Sequence, residues 1–326
     1  MMHQLTKYLG LAPVLLLFAA CSEEQVKPDY RSEMREFVIT ISERGEELHP
    51  GFIVVPQNGM QLLTSEGGGN GTPEADYIAA IDGCAQEELF YGYDNQNNFL
   101  SENYEEQALW LAQCRFAVNH GLTVLVIDYC SAPDLIADSY TRNDAEGFVS
   151  FAAESRELDM FPTQIHNENA NNVTALAQAQ NFLFLISPPT TFETKESWVA
   201  ALEQSHHDVL IIDLFFDETE QLSAADLARL RNKPQGGTRL VLSYLSIGQA
   251  ESYRWYWKPF WMATPPEFVL QEDPDWTGNY YVNYWDPTWQ NIITGGGDSY
   301  VQRITDAGFD GVYLDLVNAF EFFEDR

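Results

Sequence analysis

The sequence predicts a parallel α/β fold of the (β/α)8 TIM-barrel class, folded as a single domain over residues 34–326. Three observations predict it. From Met34 onward, apolar runs of strand length alternate with amphipathic stretches of helix length, the pattern of strand–helix–strand units. Several runs are near-continuous Val, Ile and Leu, as strands buried on both faces require. The runs number eight in about 290 residues, which suits a closed barrel better than an open doubly wound sheet. No glycine-rich dinucleotide turn follows the first run.

The predicted strands are 52–58, 77–87, 122–129, 161–167, 181–187, 208–216, 238–248 and 311–317. Helices fill the gaps, with physical start and stop signals. A helix over 103–120 ends at Gly121, ahead of its strand. Ser223 followed by Asp226 reads as a capping box for a helix over 224–232. Asp286-Pro287 is an N-cap followed by proline at the first helical position. Asp298 is the expected cap of the helix that Gly308 terminates. The GGGNG stretch at 67–71 opens no helix and reads as a flexible loop.

The first residues read as targeting. His3 and Lys7 supply a weak positive region, and the apolar run 9–20 is too short to span a bilayer. It ends in Phe18-Ala19-Ala20-Cys21, which resembles a bacterial lipobox. The expectation is a lipoprotein signal peptide over 1–21, lipidation at Cys21 and a polar tether over 22–33. Such a protein resides in the cell envelope as an outer-membrane lipoprotein, periplasmic or surface-exposed, with the membrane as partner through its anchor. A plain signal peptide cut near the same place is the alternative. Of the other cysteines, Cys84, Cys114 and Cys130 match no zinc spacing and read as buried free thiols.

Charge narrows the function. Acidic residues number 49 against 17 basic ones, a formal net charge of -32. That excludes nucleic acid as a partner, since phosphates need the opposite sign. It would attract a polycation such as a partly deacetylated amino-sugar polymer, or simply keep a surface protein soluble.

In a parallel barrel the chemistry sits at the C-terminal ends of the strands. Acids recur there: Glu87 at the second, Asp128 at the third, Asp213 at the sixth and Asp315 at the eighth, with Glu251 just beyond the seventh. Asp213 shares a strand face with Val209 and Ile211, and Asp315 with Gly311 and Tyr313. Facing inward, these carboxylates would be desolvated and near like charges, and both effects raise a pKa. One protonated acid beside one carboxylate is the apparatus of glycoside hydrolysis. The C-terminal half is rich in Trp and Tyr, on which sugar rings stack; Tyr244, Trp257 and Trp285 are the candidate contacts. Arg254 stands out in a chain so poor in bases, and a rim carboxylate is its expected partner.

Other chemistries fit less well. His206-His207-Asp208 precedes a strand and so falls at the bottom of the barrel. His166 is a lone histidine at a predicted strand end, a possible rim contact. No GxSxG elbow, Walker loop or HExxH occurs, and no acid spacing demands a metal. No cofactor is expected.

Three segments together resemble glycoside hydrolase family 114, the endo-α-1,4-polygalactosaminidase-like barrels: LSYLSIGQAESYRWYW (242–257), WTGNYYVNYWDPTWQNII (276–293) and GFDGVYLDLVNAFEFFED (308–325). IVVPQNGMQLL (53–63) and AIDGCAQEELFYGY (80–93) resemble it too. In that family the GFDGVYLD strand precedes the PQNG strand, with a helix between; here PQNG comes first, after MREFVITISERGEELHPG (34–51). A circular permutation accounts for the order, because termini move to a surface connection at little cost. It places the 34–48 helix beside the last strand, and the first strand next to the last. The resemblance implies catalytic carboxylates at Asp213 and Glu251, with Asp315, Glu87 and Asp128 in supporting or subsite roles. The family often carries Glu where this chain has Gln249, which puts activity at issue.

The function so read is hydrolysis of an amino-sugar polysaccharide such as α-1,4-polygalactosamine by an endo-acting enzyme that uses a pair of carboxylates at the barrel mouth; the alternative is a catalytically silent, glycan-binding surface lipoprotein. Metabolic labelling with a palmitate analogue should tag the wild type and leave Cys21→Ala unlabelled. Equal labelling of the two would reject the lipobox reading in favour of a plain signal peptide.

Overall fold

The computed structural model describes residues 27–93, 99–101 and 104–326; the leader and Cys21 lie outside the described residues. Eight strands in two parallel sheets carry the fold: β1 (Ile53–Pro56), β2 (Gly83–Glu87), β3 (Thr123–Tyr129), β4 (Val149–Ala153), β5 (Phe182–Leu185), β6 (Val209–Asp213), β7 (Leu240–Ser246) and β8 (Gly311–Asp315). One sheet runs β1-β8-β7-β6-β5 and the other β2-β3-β4. An isolated parallel bridge, Gln57 to Ala85, ties β1 to β2. At the other side β4 lies against β5, with the Phe151 and Phe182 rings 5.7 Å apart. The result is a single-domain mixed α/β fold. Its strands are buried almost throughout, with Val54, Val55, Ile211, Ile212 and Val312 fully out of solvent.

The first helix shows how pattern becomes packing. α1 (Tyr30–Leu48) is capped by Asp29, whose carboxylate accepts the Ser32 N–H at 3.1 Å. Its buried residues Met34, Phe37, Val38, Ile41 and Gly45 recur at helical spacing and form one apolar stripe. That stripe packs on β1 and on three C-terminal helices, α7 (Pro287–Thr294), α8 (Tyr300–Ala307) and α9 (Phe320–Glu324). β1 pairs in parallel with β8 from Ile53–Gly311 to Pro56–Leu314. The first strand is thus the neighbour of the last, and the helix before it packs against the chain's end.

Five local expectations are corrected. The fourth strand is Val149–Ala153, not 161–167: Pro162 supplies no N–H to a ladder there, whereas the Ala- and Ser-containing run of β4 is buried despite its modest apolarity. The 77–87 run is strand only over Gly83–Glu87, after the helical turn Ala75–Ala79. The tether does not reach 33, since α1 begins at Tyr30. Ser299, not Asp298, caps α8, accepting from the Gln302 N–H, while Asp298 pairs with Arg303 at 2.6 Å. The glycine-rich loop is ordered: Thr64 and Pro73 form an antiparallel bridge, and a Cβ on Gly69 would meet the Ala112 backbone at 2.6 Å, so the loop packs closely on α3 (Tyr104–Asn119). The predicted capping box Ser223/Asp226 and the N-cap Asp286 both form, and Cys84, Cys114 and Cys130 are buried and free.

The N-terminal ends of the strands are stitched by aspartates. Asp82 accepts the Val54 N–H at 2.9 Å, Asp310 the Val241 N–H at 2.8 Å, and Asp208 the Gln180 N–H at 2.9 Å. Each carboxylate satisfies a strand-end donor on a neighbouring strand or its lead-in. Asp208 is also held by fully buried Lys233 at 2.6 Å, so the His206-His207-Asp208 run is structural and lies at the bottom, with His207 bound to Ser205 at 2.7 Å. His166 is likewise no rim contact: its ring stacks on Tyr140 and bonds Asp144 at 2.9 Å.

Gly311 sits where β8 meets β1, and a Cβ there would fall 2.1 Å from the Ile53 carbonyl oxygen. Gly311→Ala should therefore destabilise the fold by about 1–3 kcal/mol through forced separation of these strands. Urea unfolding would show it as a lower midpoint at unchanged slope; an unchanged midpoint would mean that the close approach is not needed.

Candidate functional site

The C-terminal ends of the strands surround a cavity of about 960 Å³. Gln57 follows β1, Glu87 ends β2, Tyr129 ends β3, Asp213 ends β6, Tyr244 lies on β7 and Asp315 ends β8, and all of them line it. Glu251 reaches the same space from a three-stranded antiparallel insertion, in which Gln249–Glu251 pairs with Asn279–Val282 and that strand with Val269–Glu272. Non-glycine residues with left-handed backbone follow three adjoining strands here: Leu316 (φ 56°) after β8, Asn58 (φ 56°) after β1 and Glu88 (φ 58°) after β2. Such conformations cost energy and gather where a strand end is turned toward a site.

At the centre lies a three-residue ion cluster. Arg254 donates to both oxygens of Asp213, at 2.9 and 2.6 Å, and its Nε donates to Glu251 at 2.6 Å. Its Nη2 also reaches Glu251 Oε1 at 3.2 Å, and this nitrogen bonds both acids, so those carboxylate oxygens lie within ~6 Å of each other. The Tyr253 hydroxyl donates to Glu251 at 2.7 Å, and the Phe215 N–H to Asp213 at 2.8 Å. The rings of Phe215 and Tyr253 stand 5.8 and 5.2 Å from the guanidinium. Burial works against the Arg254 charge, but Asp213 and Glu251 outweigh it and hold the guanidinium well above its usual range. Burial also pushes the Asp213 carboxyl up, against the pull of Arg254.

A second pair of acids lies alongside. Glu87 accepts from Tyr129 at 2.5 Å, from Asn58 at 2.8 Å and from Gln57. Asp315 accepts from the Tyr244 hydroxyl at 2.6 Å and from the Leu316 N–H at 2.7 Å. Burial, and then the charge of Glu87, push the Asp315 carboxyl from 3.8 up to about 7. Burial pushes Glu87 up as well. Gln249 donates through Nε2 to Asp273 at 2.6 Å and lines the cavity.

Asp213, Glu251, Asp315, Glu87, Tyr244 and Arg254 are thus gathered in one place. Three candidates are not. Asp128 is fully buried on the other face of β3 and caps surrounding groups, accepting from Ser139, Asn143 and the Phe90 and Tyr91 N–H groups. Its neighbour Tyr129 faces the cavity instead, as strand alternation dictates. Trp257 packs on Trp261 and Tyr280 in the insertion, and Trp285 packs on Tyr30, Tyr284 and Phe323 beside α1 and α9. The residues passed over are Gln57, Asn58 and Tyr129; the PQN run after the first strand and the Tyr beside Asp128 were their available signals. Among the described residues, no group of three or more His, Cys, Asp or Glu side chains is arranged to hold a metal ion.

Similarity to known proteins agrees with this geometry. Residues 174–326, which carry Asp213, Glu251, Arg254 and Asp315, match the family model of glycoside-hydrolase family GH114. Relatives are uncharacterized proteins. One from Deinococcus radiodurans is 40% identical over 126 residues, 39% of this chain and 38% of its own length. One from Methanocaldococcus jannaschii is 32% identical over 185 residues, 55% of this chain and 50% of its own. A third, from Thermotoga maritima, is 33% identical over 155 residues, 43% and 46% of the two chains. The chain spans half or less of the length of these relatives.

Asp315 binds its proton more tightly folded than unfolded, so folding takes up a proton between pH ~4 and ~7 and this group's contribution to stability falls as pH rises through that window. Asp315→Asn keeps the shape and removes the charge. Its melting temperature relative to wild type should rise between pH 5 and pH 8. A difference independent of pH would show that the ionised carboxylate carries no penalty here.

Proposed function

We propose, on the match of residues 174–326 to the GH114 family model and the acid-lined cavity at the strand ends, that this chain is a glycoside hydrolase acting on an amino-sugar polysaccharide such as α-1,4-polygalactosamine, within the chain. The observation that carries the reading is the Asp213–Arg254–Glu251 cluster. Two carboxylates from different elements are brought within ~6 Å and share one guanidinium, at the mouth of a cavity large enough for sugar rings. Such a pair divides the work of protonating the leaving oxygen and stabilising the oxocarbenium-like centre. Asp315, Glu87 and Tyr244 are supporting groups, with Asp315 holding a proton near neutral pH. The acid excess of the chain favours a cationic polymer over a neutral one. The reaction as proposed needs no cofactor.

The same reading takes the eight strands as a (β/α)8 barrel. The Gln57–Ala85 bridge and the β4–β5 contact support closure, and the β1–β8 pairing supports a circular permutation. It takes the protein as an envelope lipoprotein anchored through Cys21. The competing reading is a glycan-binding barrel without turnover. Gln249 favours it, since the amide turned to Asp273 stands where an acid is common in the family.

Incubating the full chain with galactosaminogalactan, chitosan and neutral glycans should release oligomers from an amino-sugar polymer. Asp213→Asn and Glu251→Gln should each lower turnover by about 10²–10⁴-fold, with binding of intact glycan far less affected. If wild type binds glycan yet releases no more product than either variant, the hydrolase reading fails and the silent barrel replaces it.

A further inference from the structure

The mouth of the cavity is crossed by a contact that takes no part in the acid cluster. Arg156 lies just past the end of β4, and its guanidinium stands 5.1 Å from the centre of the Trp276 ring. Trp276 comes from a different part of the rim, in the turn that joins Val269–Glu272 to Asn279–Val282 within the insertion after β7. The order of the strand ends says what this contact does to the cavity. β5 and β6 lie between β4 and β7 on one arc of the mouth, and β8, β1, β2 and β3 on the other. Both arcs line the cavity, with Pro189, Thr190 and Asp217 after β5 and β6, and Gln61, Trp110 and Glu321 on the other arc. The Arg156–Trp276 contact therefore divides the mouth into two openings. Asp213 ends β6 on the first arc, while Asp315 and Glu87 end strands on the second. A chain that joins the two openings runs past all three acids.

The turn that carries Trp276 is fixed at its root. The Asp273 N–H donates to the Asn279 carbonyl at 2.7 Å, the Gly278 N–H to Glu272 at 2.7 Å and the Ser252 N–H to the Gly278 carbonyl at 2.8 Å. The Asp273 carboxylate accepts from the Asp275 N–H at 2.9 Å and from Gln249 Nε2 at 2.6 Å. Gln249 thus ties the turn to the base of the insertion, where a glutamate would set two carboxylates against each other. The far end of the turn is held more lightly. Trp276 is 43% exposed, and a cation over an exposed ring favours the closed contact by only about two- to fivefold. The turn keeps its place while its tip parts readily from Arg156.

We propose that Trp276 and Arg156 form a strap across the mouth, which parts to admit a glycan chain sideways and closes over it, so that the polymer is retained between cuts. The strap rests on the glycan reading of the cavity and adds the residues that set how long a chain is held. A short oligomer leaves through either opening without disturbing the strap. A long chain occupies both openings at once and leaves sideways only when the strap parts. Gln249 is a positioning residue here, acting on Trp276 through Asp273.

The test measures release of galactosaminogalactan and of its trisaccharide from the immobilised full chain carrying Asp213→Asn, or Glu251→Gln should the first fail to fold. Trp276→Ala and Arg156→Ala in that background should each speed release of the polymer about three- to tenfold and leave the trisaccharide unchanged. Together they should act no more strongly than either alone, because both remove one contact. Both side chains are partly exposed and lie outside strands and helices, so folding survives their loss. In the active chain the same changes should yield fewer short oligomers for a given fall in polymer length. Were Trp276 only a stacking surface, Arg156→Ala would not alter polymer release and Trp276→Ala would speed both ligands alike; either result overturns the strap. Cleavage by wild type with polymer release unaltered in the variants removes the strap and leaves the hydrolase. Retention lost in the variants, without cleavage by wild type, keeps the strap and removes the hydrolase. Absence of polymer binding overturns both.

Discussion

One buried cation organises the mouth of this fold. Arg254 comes from the insertion after β7, Asp213 from the end of β6, and without the guanidinium the two acids at this point would face each other as uncompensated charges in a low dielectric. The cluster therefore does more than join two residues. It fixes the antiparallel insertion onto the parallel sheet, and it holds the two carboxylates in alignment against the desolvation that acts on Asp213. The flanking Phe215 and Tyr253 rings present their faces to the cation. A chain with 49 acids and 17 bases places one of its few arginines here, and the acid-lined cavity depends on it.

Much of the fold was legible because buried parallel strands leave a blunt signature. Runs such as VLIID and TVLVIDY admit no other placement in an alternating pattern, and the Ser223/Asp226 and Asp286-Pro287 signals carry their own geometry. β4 was missed for a physical reason. VSFAA owes its burial to its place between other elements and not to its own hydrophobicity, so its residues carry little strand signal of their own. The α8 cap was misjudged by one residue because Asp298 and Ser299 are both competent caps; the ion pair with Arg303 decides between them.

The site was legible to the level of which strand ends carry acids, and no further. Asp213 and Asp315 follow from the alternation rule, yet the same rule applied to TVLVIDY leaves Asp128 and Tyr129 to compete for the cavity, and the tyrosine has it. An acid at a strand end is equally a hydrogen-bond acceptor for backbone, as Asp82, Asp208 and Asp310 show at the opposite end. Trp257 and Trp285 illustrate the other blind spot: composition cannot separate a ring that stacks on a ligand from one that fills a joint between elements.

The pairing of the first strand with the last has a consequence for how the chain is made. On a ribosome, α1 emerges early with Met34, Phe37, Val38 and Ile41 along one face, and none of the C-terminal helices that cover this face yet exists. β1 waits as long, because β8 is among the last segments synthesised. Contacts so distant in sequence are formed late and slowly, and until then the nascent chain exposes an apolar helix and an unpaired edge. Until the last forty residues arrive, roughly the length from α7 to the end, that apolar face and that strand edge stay uncovered.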